Sequence, residues 1–261
     1  MQSRDTAPAA GIVDTHCHLT IAPLSADVDG VLARASEAGV TRVVAAAYDT
    51  ASWDPLAALS GRNGVFVAFG LHPWVSSEEL DLGRLERLLR GHNAVAVGEI
   101  GLDFKIEGCD RERQVRAFES QLDVAAALGL PVLLHCRSAF EEMLAILKRR
   151  PAPVKGVVHA FSRGPELMRR FLALGLHVAF GGAITRPGAD RARSSAAAAP
   201  VDRVLVETDA PSIGLEGVEA NDVEPRHAAF VVRALASLRG LSFEDAALLT
   251  TANARRLFGL S

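Results

Sequence analysis

Cysteine is scarce in this 261-residue chain: Cys17, Cys109 and Cys136 are an odd set with no CxxC pair. A disulfide framework is therefore not expected, and a reducing cytoplasm is the simpler setting. No uncharged apolar run reaches 18 residues, so no transmembrane helix is expected. Residues 1–10 have neither a basic n-region nor an apolar h-region, and they read as a disordered tail rather than a secretory signal. No charge of one sign dominates. The formal net charge is −3, which excludes a strongly basic, polyanion-binding face and leaves only local contacts to nucleic acid. Lysine is confined to Lys105, Lys148 and Lys155, and every other basic residue is arginine. No GxGxxG follows the first apolar run, which argues against a dinucleotide-binding open sheet.

What the chain does have is repetition of one unit, a short Val-rich run followed by a longer amphipathic stretch. The runs are Gly11–His16, Thr41–Ala47, Val65–Gly70, Ala94–Gly98, Pro131–His135, Gly156–His159, His177–Phe180 and Arg203–Glu207. Runs of this kind fit strands buried on both faces of a parallel sheet. Between them, Val115, Phe118, Leu122 and Ala126 recur at helical spacing, as do Leu82, Leu85, Leu88 and Leu89. Ser76-Ser77-Glu78-Glu79 has the spacing of a capping box at a helix start. Gly39, Gly129 and Gly175 stand where helices would stop, and Gly61 and Gly91 are expected in loops. Arg191–Pro200 reads as a helix, and Ser242 opens a last helix towards Phe258 expected to pack on the outside. The fold class this predicts is α/β, a single (β/α)8 TIM barrel over residues 11–261, with a doubly wound sheet as the alternative.

Barrel enzymes carry their chemistry at the C-terminal ends of strands. Here the first run ends in Asp14-Thr15-His16-Cys17-His18. Strand alternation points His16 and His18 one way and Cys17 the other. His72 follows the third run, Glu99 and Asp103 the fourth, His135 and Arg137 the fifth, His159 the sixth, and Glu207 and Asp209 the eighth. That exceeds the three or four ligands of one metal, so two divalent ions are expected. His16, His18 and Asp209 would hold one, His135 and His159 the other, and Glu99 would bridge them. The mixed imidazole and carboxylate set admits Mg, Mn or Zn. Asp209 is the candidate general base and Glu99 the second catalytic carboxylate. His72 is expected at the substrate or as a shaper of its loop. Arg137 is expected on a phosphate or in a rim ion pair, and Asp103 behind a ligand or as a loop cap. Trp74 could stack on bases. Cys17 and Cys136 are expected in the core, facing away from the site.

These stretches together resemble the TatD family of metal-dependent deoxyribonucleases, within the metallo-dependent hydrolase superfamily. The matching stretches are Asp14–Leu19, Gly70–Pro73, Gly98–Asp103, Leu130–Arg137, Gly156–Ser162 and Glu207–Pro211, in the family's order from Ile12 to Phe258. The resemblance implies a (β/α)8 fold, two divalent metals on the residues above, and hydrolysis of DNA phosphodiesters, typically from the 3′ end. The chain departs from the family at Phe161-Ser162-Arg163-Gly164 and at Asn221-Asp222-Val223-Glu224-Pro225, both expected where substrate is gripped. The modest charge favours single-stranded ends over a long duplex, and a monomer is expected. A rival reading keeps the site and changes the substrate to an amide, an ester or an aminoacyl-tRNA. A non-enzymatic scaffold holding structural metal is the weaker rival, because the ligand set opens onto a barrel mouth.

Overall fold

The eight Val-rich runs pair side by side into one sheet, in chain order and all parallel. The structure, a computed structural model, describes residues 11–260; the tail expected over residues 1–10 lies outside them. The strands are β1 (Ile12–Cys17), β2 (Val40–Ala46), β3 (Val65–Phe69), β4 (Ala96–Asp103), β5 (Val132–Arg137), β6 (Gly156–Val158), β7 (His177–Phe180) and β8 (Val204–Val206). The helices are α1 (Val28–Glu37), α2 (Trp53–Ala57), α3 (Leu82–Gly91), α4 (Arg111–Leu128), α5 (Phe140–Arg149), α6 (Pro165–Leu172), α7 (Asp190–Ala198), α8 (Ala228–Arg239) and α9 (Phe243–Phe258). β1 meets the segment after β8 through the Cys17–Ala210 bridge, so the sheet closes into a (β/α)8 barrel.

Strand alternation divides the apolar residues into two populations. One set takes a member from every strand, including Val13, Ala68, Ala96, Val157, Ala179 and Leu205, and clusters separately from the rest. These fill the barrel interior, where mostly small or β-branched side chains fit. Their neighbours in sequence, such as Ile12, Val67, Val97 and Val178, join the larger cluster under the helices. Burying each Val, Leu, Ile or Phe contributes about 1.5–3 kcal/mol.

Three local readings are corrected. Ser76–Glu79 does not cap a helix: α3 starts later, capped by the Asp81 carboxylate on the Arg84 N–H. Glu78 instead accepts the Thr50 hydroxyl and N–H at 2.5 and 3.1 Å. Gly91, read as a loop residue, ends α3. The last helix begins at its Ser242 cap as expected, and Thr251 and Asn253 tie it to Gly11, Val201 and Val204. Its C-terminal end is not merely on the outside. Phe258 and Leu260 pack on the interior set together with Phe66 and Val95, which lie at strand starts. They cork the N-terminal mouth and leave the other mouth to the chemistry.

Candidate metal centre

Glu99 is the point on which the polar side chains converge. It lies within β4 and is buried. Gly101, opposite His135 in the β4–β5 register, allows the approach of its strand. Its φ is +148°, and a Cβ there would sit 2.0 Å from the His135 carbonyl oxygen. Only glycine tolerates both the conformation and the contact.

The two Glu99 oxygens face two different groups. Oε2 lies 3.2 Å from His16 Nε2 and 3.3 Å from His18 Nε2. Asp209 joins this side, its Oδ1 3.3 Å from His18 Nε2 and 3.8 Å from His16 Nε2. Oε1 lies 2.8 Å from His159 Nε2, 3.0 Å from His135 Nδ1 and 3.2 Å from His72 Nε2. All six of the residues expected as ligands therefore come together, from β1, β4 and β5 and from the loops after β1, β6 and β8.

The outward ring nitrogens fix what each imidazole offers inward. His18 Nδ1 donates to the Ala46 carbonyl at 3.1 Å, which turns Nε2 towards Glu99 and Asp209. His135 Nε2 donates to Asp103 Oδ2 at 3.1 Å, which leaves Nδ1. Glu207, buried behind His159, lies 3.5 Å from His159 Nδ1 and accepts the Ala160 N–H at 2.5 Å. His72 is the exception. Its Nδ1 accepts the Trp74 N–H at 3.2 Å, so Nε2 carries the proton and donates to Glu99. Burial lowers His72 to about 4, which keeps that imidazole neutral. His72 thus holds Glu99 in place as well as lining the cavity.

The centre favours positive charge. Burial alone would lower His18, yet its bonds to Asp209 and Glu99 hold it up at about 10. Burial works against Glu99 as a carboxylate, yet the surrounding imidazoles, His159 first, hold it well below its usual range. Buried carboxylates flanked by inward-facing imidazole nitrogens suit a divalent cation of the Mg, Mn or Zn type, which would displace the protons they hold. His16, His18 and Asp209 present ligand atoms within 4.8 Å of one another, as do His72, Glu99 and His135. Among the described residues, nothing hydrogen-bonds the buried His16 Nδ1 or Glu207 Oε2.

Over the cluster opens a cavity of about 390 Å³, with His18, His72, Glu99, His135, His159 and Asp209 along its wall. Arg137 and Arg163 line it too. Arg137 lies 3.8 Å from Asp103 and is half exposed, and Arg163 stacks over Phe140. Cys136 also borders the cavity, against the expectation that it faces away, while Cys17 is in the core. The stretch Asn221–Pro225 is not at the cavity. Glu224 pairs with Arg34 at 2.9 Å, and Val223 is buried, so this departure from the family pattern supports the fold. Tyr48 was not anticipated. It follows β2, lines the cavity and stacks on His72 with ring centroids 5.1 Å apart. The rule that found the other residues, inspection of strand C-termini, extends to it.

The family model for TatD related DNase matches residues 13–259. This chain belongs to the TatD family of metal-dependent hydrolases. The metal-dependent hydrolase YjjV of Escherichia coli strain K12, itself uncharacterized, is 36% identical over 253 residues, covering 95% of this chain and 98% of that one. The crystal structure of that TatD homologue superposes with a TM-score of 0.91, covering 96% of this chain and 98% of the other, at 34% identity. A TatD protein of Erwinia amylovora, named a 3′-5′ ssDNA/RNA exonuclease, is 34% identical over 258 residues, covering 95% of this chain and 99% of its own. Among the described residues, no helix of this TatD family member is long and apolar enough to cross a membrane.

Proposed function

We propose that this protein hydrolyses phosphodiester bonds at the 3′ end of single-stranded DNA, using two divalent metals that Glu99 would help to hold. The observation that carries the reading is the split at Glu99, with Oε2 towards His16 and His18 and Oε1 towards His135 and His159. His16, His18 and Asp209 would hold one metal, and His135 and His159 the other. Bound there, the ions supply Lewis acidity and acidify water near neutral pH.

The chain's own residues do the rest. Asp209 reaches the cavity and accepts the proton of the attacking water. Glu99, held by the His72 N–H, keeps the two halves of the centre in register. Arg137, at the cavity wall, donates to the phosphate oxygens, as a guanidinium does bidentately. The choice of a nucleic-acid strand is supported by the Erwinia relative's name and by the arginines at an otherwise small, concave site. Three free cysteines fit a reducing, cytoplasmic setting.

The test is a gel assay on 3′- and 5′-labelled single strands, with EDTA, Mg, Mn and Zn arms and a His135→Ala control. Metal-dependent shortening from the 3′ end, absent in the control, is the expected result. No cleavage by protein shown by elemental analysis to hold metal would move the substrate to carbonyl esters and amides.

A further inference from the structure

Trp74 is an exposed aromatic with no core to explain it. Large apolar side chains are normally buried, and the other tryptophan is: Trp53 is 0% exposed and donates its indole N–H to the Gly70 carbonyl at 2.9 Å. Trp74 is 48% exposed and borders the cavity above the metal-type cluster. Its orientation is nevertheless fixed at two points. The backbone N–H donates to His72 Nδ1 at 3.2 Å, and the indole N–H donates to Asp103 Oδ2 at 2.6 Å. The same Oδ2 accepts from His135 Nε2 at 3.1 Å.

Asp103 is itself clamped. It is fully buried. Gln114 brackets its backbone, accepting the Asp103 N–H at 2.9 Å and donating to the Asp103 carbonyl at 3.0 Å. Asp103 Oδ1 accepts the Lys105 N–H at 2.9 Å. One rigid oxygen thus sets both the indole at the rim and an imidazole of the centre. Tyr48 and His72 back the indole edge-on, at centroid distances of 6.2 and 5.0 Å. The arginines of the cavity wall, Arg137 and Arg163, supply cationic groups beside this aromatic one. An aromatic platform beside cationic side chains is how single strands are held without sequence readout.

We infer that Trp74 is the platform on which a nucleobase next to the scissile phosphate stacks, and that Asp103 is the positioning residue that fixes this platform relative to His135. The inference rests on the strand-hydrolysis reading above and adds to it where a base lies.

The experiment pairs kinetics with a binding signal that needs no turnover. Oligothymidylate and a strand of the same length with abasic 3′-terminal residues are hydrolysed by wild type, Trp74→Ala and Trp74→Phe. Trp74→Ala is expected to raise KM on oligothymidylate about 5- to 150-fold with kcat nearly unchanged, and Trp74→Phe, which keeps a ring but loses the bond to Asp103, to recover only part of the loss. On the abasic strand the three proteins should differ by less than about threefold, since there is no base to stack. In parallel, a phosphorothioate strand that resists cleavage is titrated into metal-loaded protein while indole emission is followed. Quenching in wild type that disappears in Trp74→Phe is expected, because Trp53 is shielded. Asp103→Asn, which is uncharged and has one acceptor oxygen for the three donors on Trp74, His135 and Lys105, should reduce the quenching and weaken metal affinity about 10-fold or more. Cleavage with no quenching, and equal KM effects on both strands, would overturn the platform and leave the nuclease reading standing. Quenching without cleavage by any metal form would do the reverse. Unchanged quenching and metal affinity in Asp103→Asn would remove Asp103 from its positioning role.

Discussion

Asp14 and Thr208, 194 residues apart in the chain, are joined at two points: Asp14 Oδ2 accepts the Thr208 hydroxyl at 2.6 Å, and Oδ1 accepts its N–H at 2.9 Å. They sit where β1 meets the segment after β8, beside the Asp209 N–H to His16 carbonyl bond of 2.9 Å. The clamp fixes both halves of the His16–His18–Asp209 group. Asp14→Ala takes the acceptor from three buried donors, the Thr208 hydroxyl and N–H and the His16 N–H, and should cost about 2–4 kcal/mol in urea unfolding, with weakened metal retention. Asp14→Asn, which keeps one acceptor, should lose less. Equal losses in the two variants would contradict this account.

Glu99 serves both sides of the centre, so its charge cannot be removed from one side alone. Glu99→Gln preserves shape and deletes the shared carboxylate. Bound metal, measured by elemental analysis after dialysis, should fall, and metal-dependent hydrolysis should drop by at least about 100-fold, the upper end of what a supporting group costs. Full metal content in the variant would count against a bridging role.

His177 offers a pH test remote from the centre. Burial first, and then the nearby Arg203, lower its pKa below the ordinary 6.5. The folded state therefore takes up this proton at lower pH than the unfolded state. Its contribution to stability is present above pH 6.5 and is lost as pH falls through the lowered value. The urea midpoint of wild type should decline from pH 7.5 to 5 more steeply than that of His177→Gln. Taking the difference between the two proteins cancels what the centre contributes, since it is the same in both.

Phe258 tests the cork at the far mouth. It is 5% exposed and packs on the interior set. Phe258→Ala should cost about 3–5 kcal/mol by denaturant unfolding, as large-to-small core changes do. At a temperature where the variant is folded, kcat/KM should match wild type, because the cork lies at the opposite end from Glu99.

The barrel was legible because its strands are continuous apolar runs, a pattern that survives without any knowledge of partners. The His and carboxylate positions were legible because a strand's end is visible once the strand is. Less visible was anything set by the far side of a contact. That Asp103 supports His135 rather than only capping a loop depends on a 3.1 Å approach between adjacent strands. That His72 donates to Glu99 depends on the Trp74 N–H occupying its other nitrogen. Ser76–Glu79 had capping spacing, but Thr50 claims Glu78 and the helix starts at the Asp81 cap instead. Cys136 was assigned by alternation alone, and alternation does not say how wide the mouth is above it.

The small side chains inside the strands, closed at one end by Phe258 and Leu260, have a consequence for traffic. The interior is packed from the far end up to the metal-type cluster, so the cavity is approached from one mouth only. On the proposed strand-hydrolysis reading, a polymer could not thread through, and each freed piece would have to leave by the mouth through which the chain came in. Product exit and substrate entry would then compete for the same doorway.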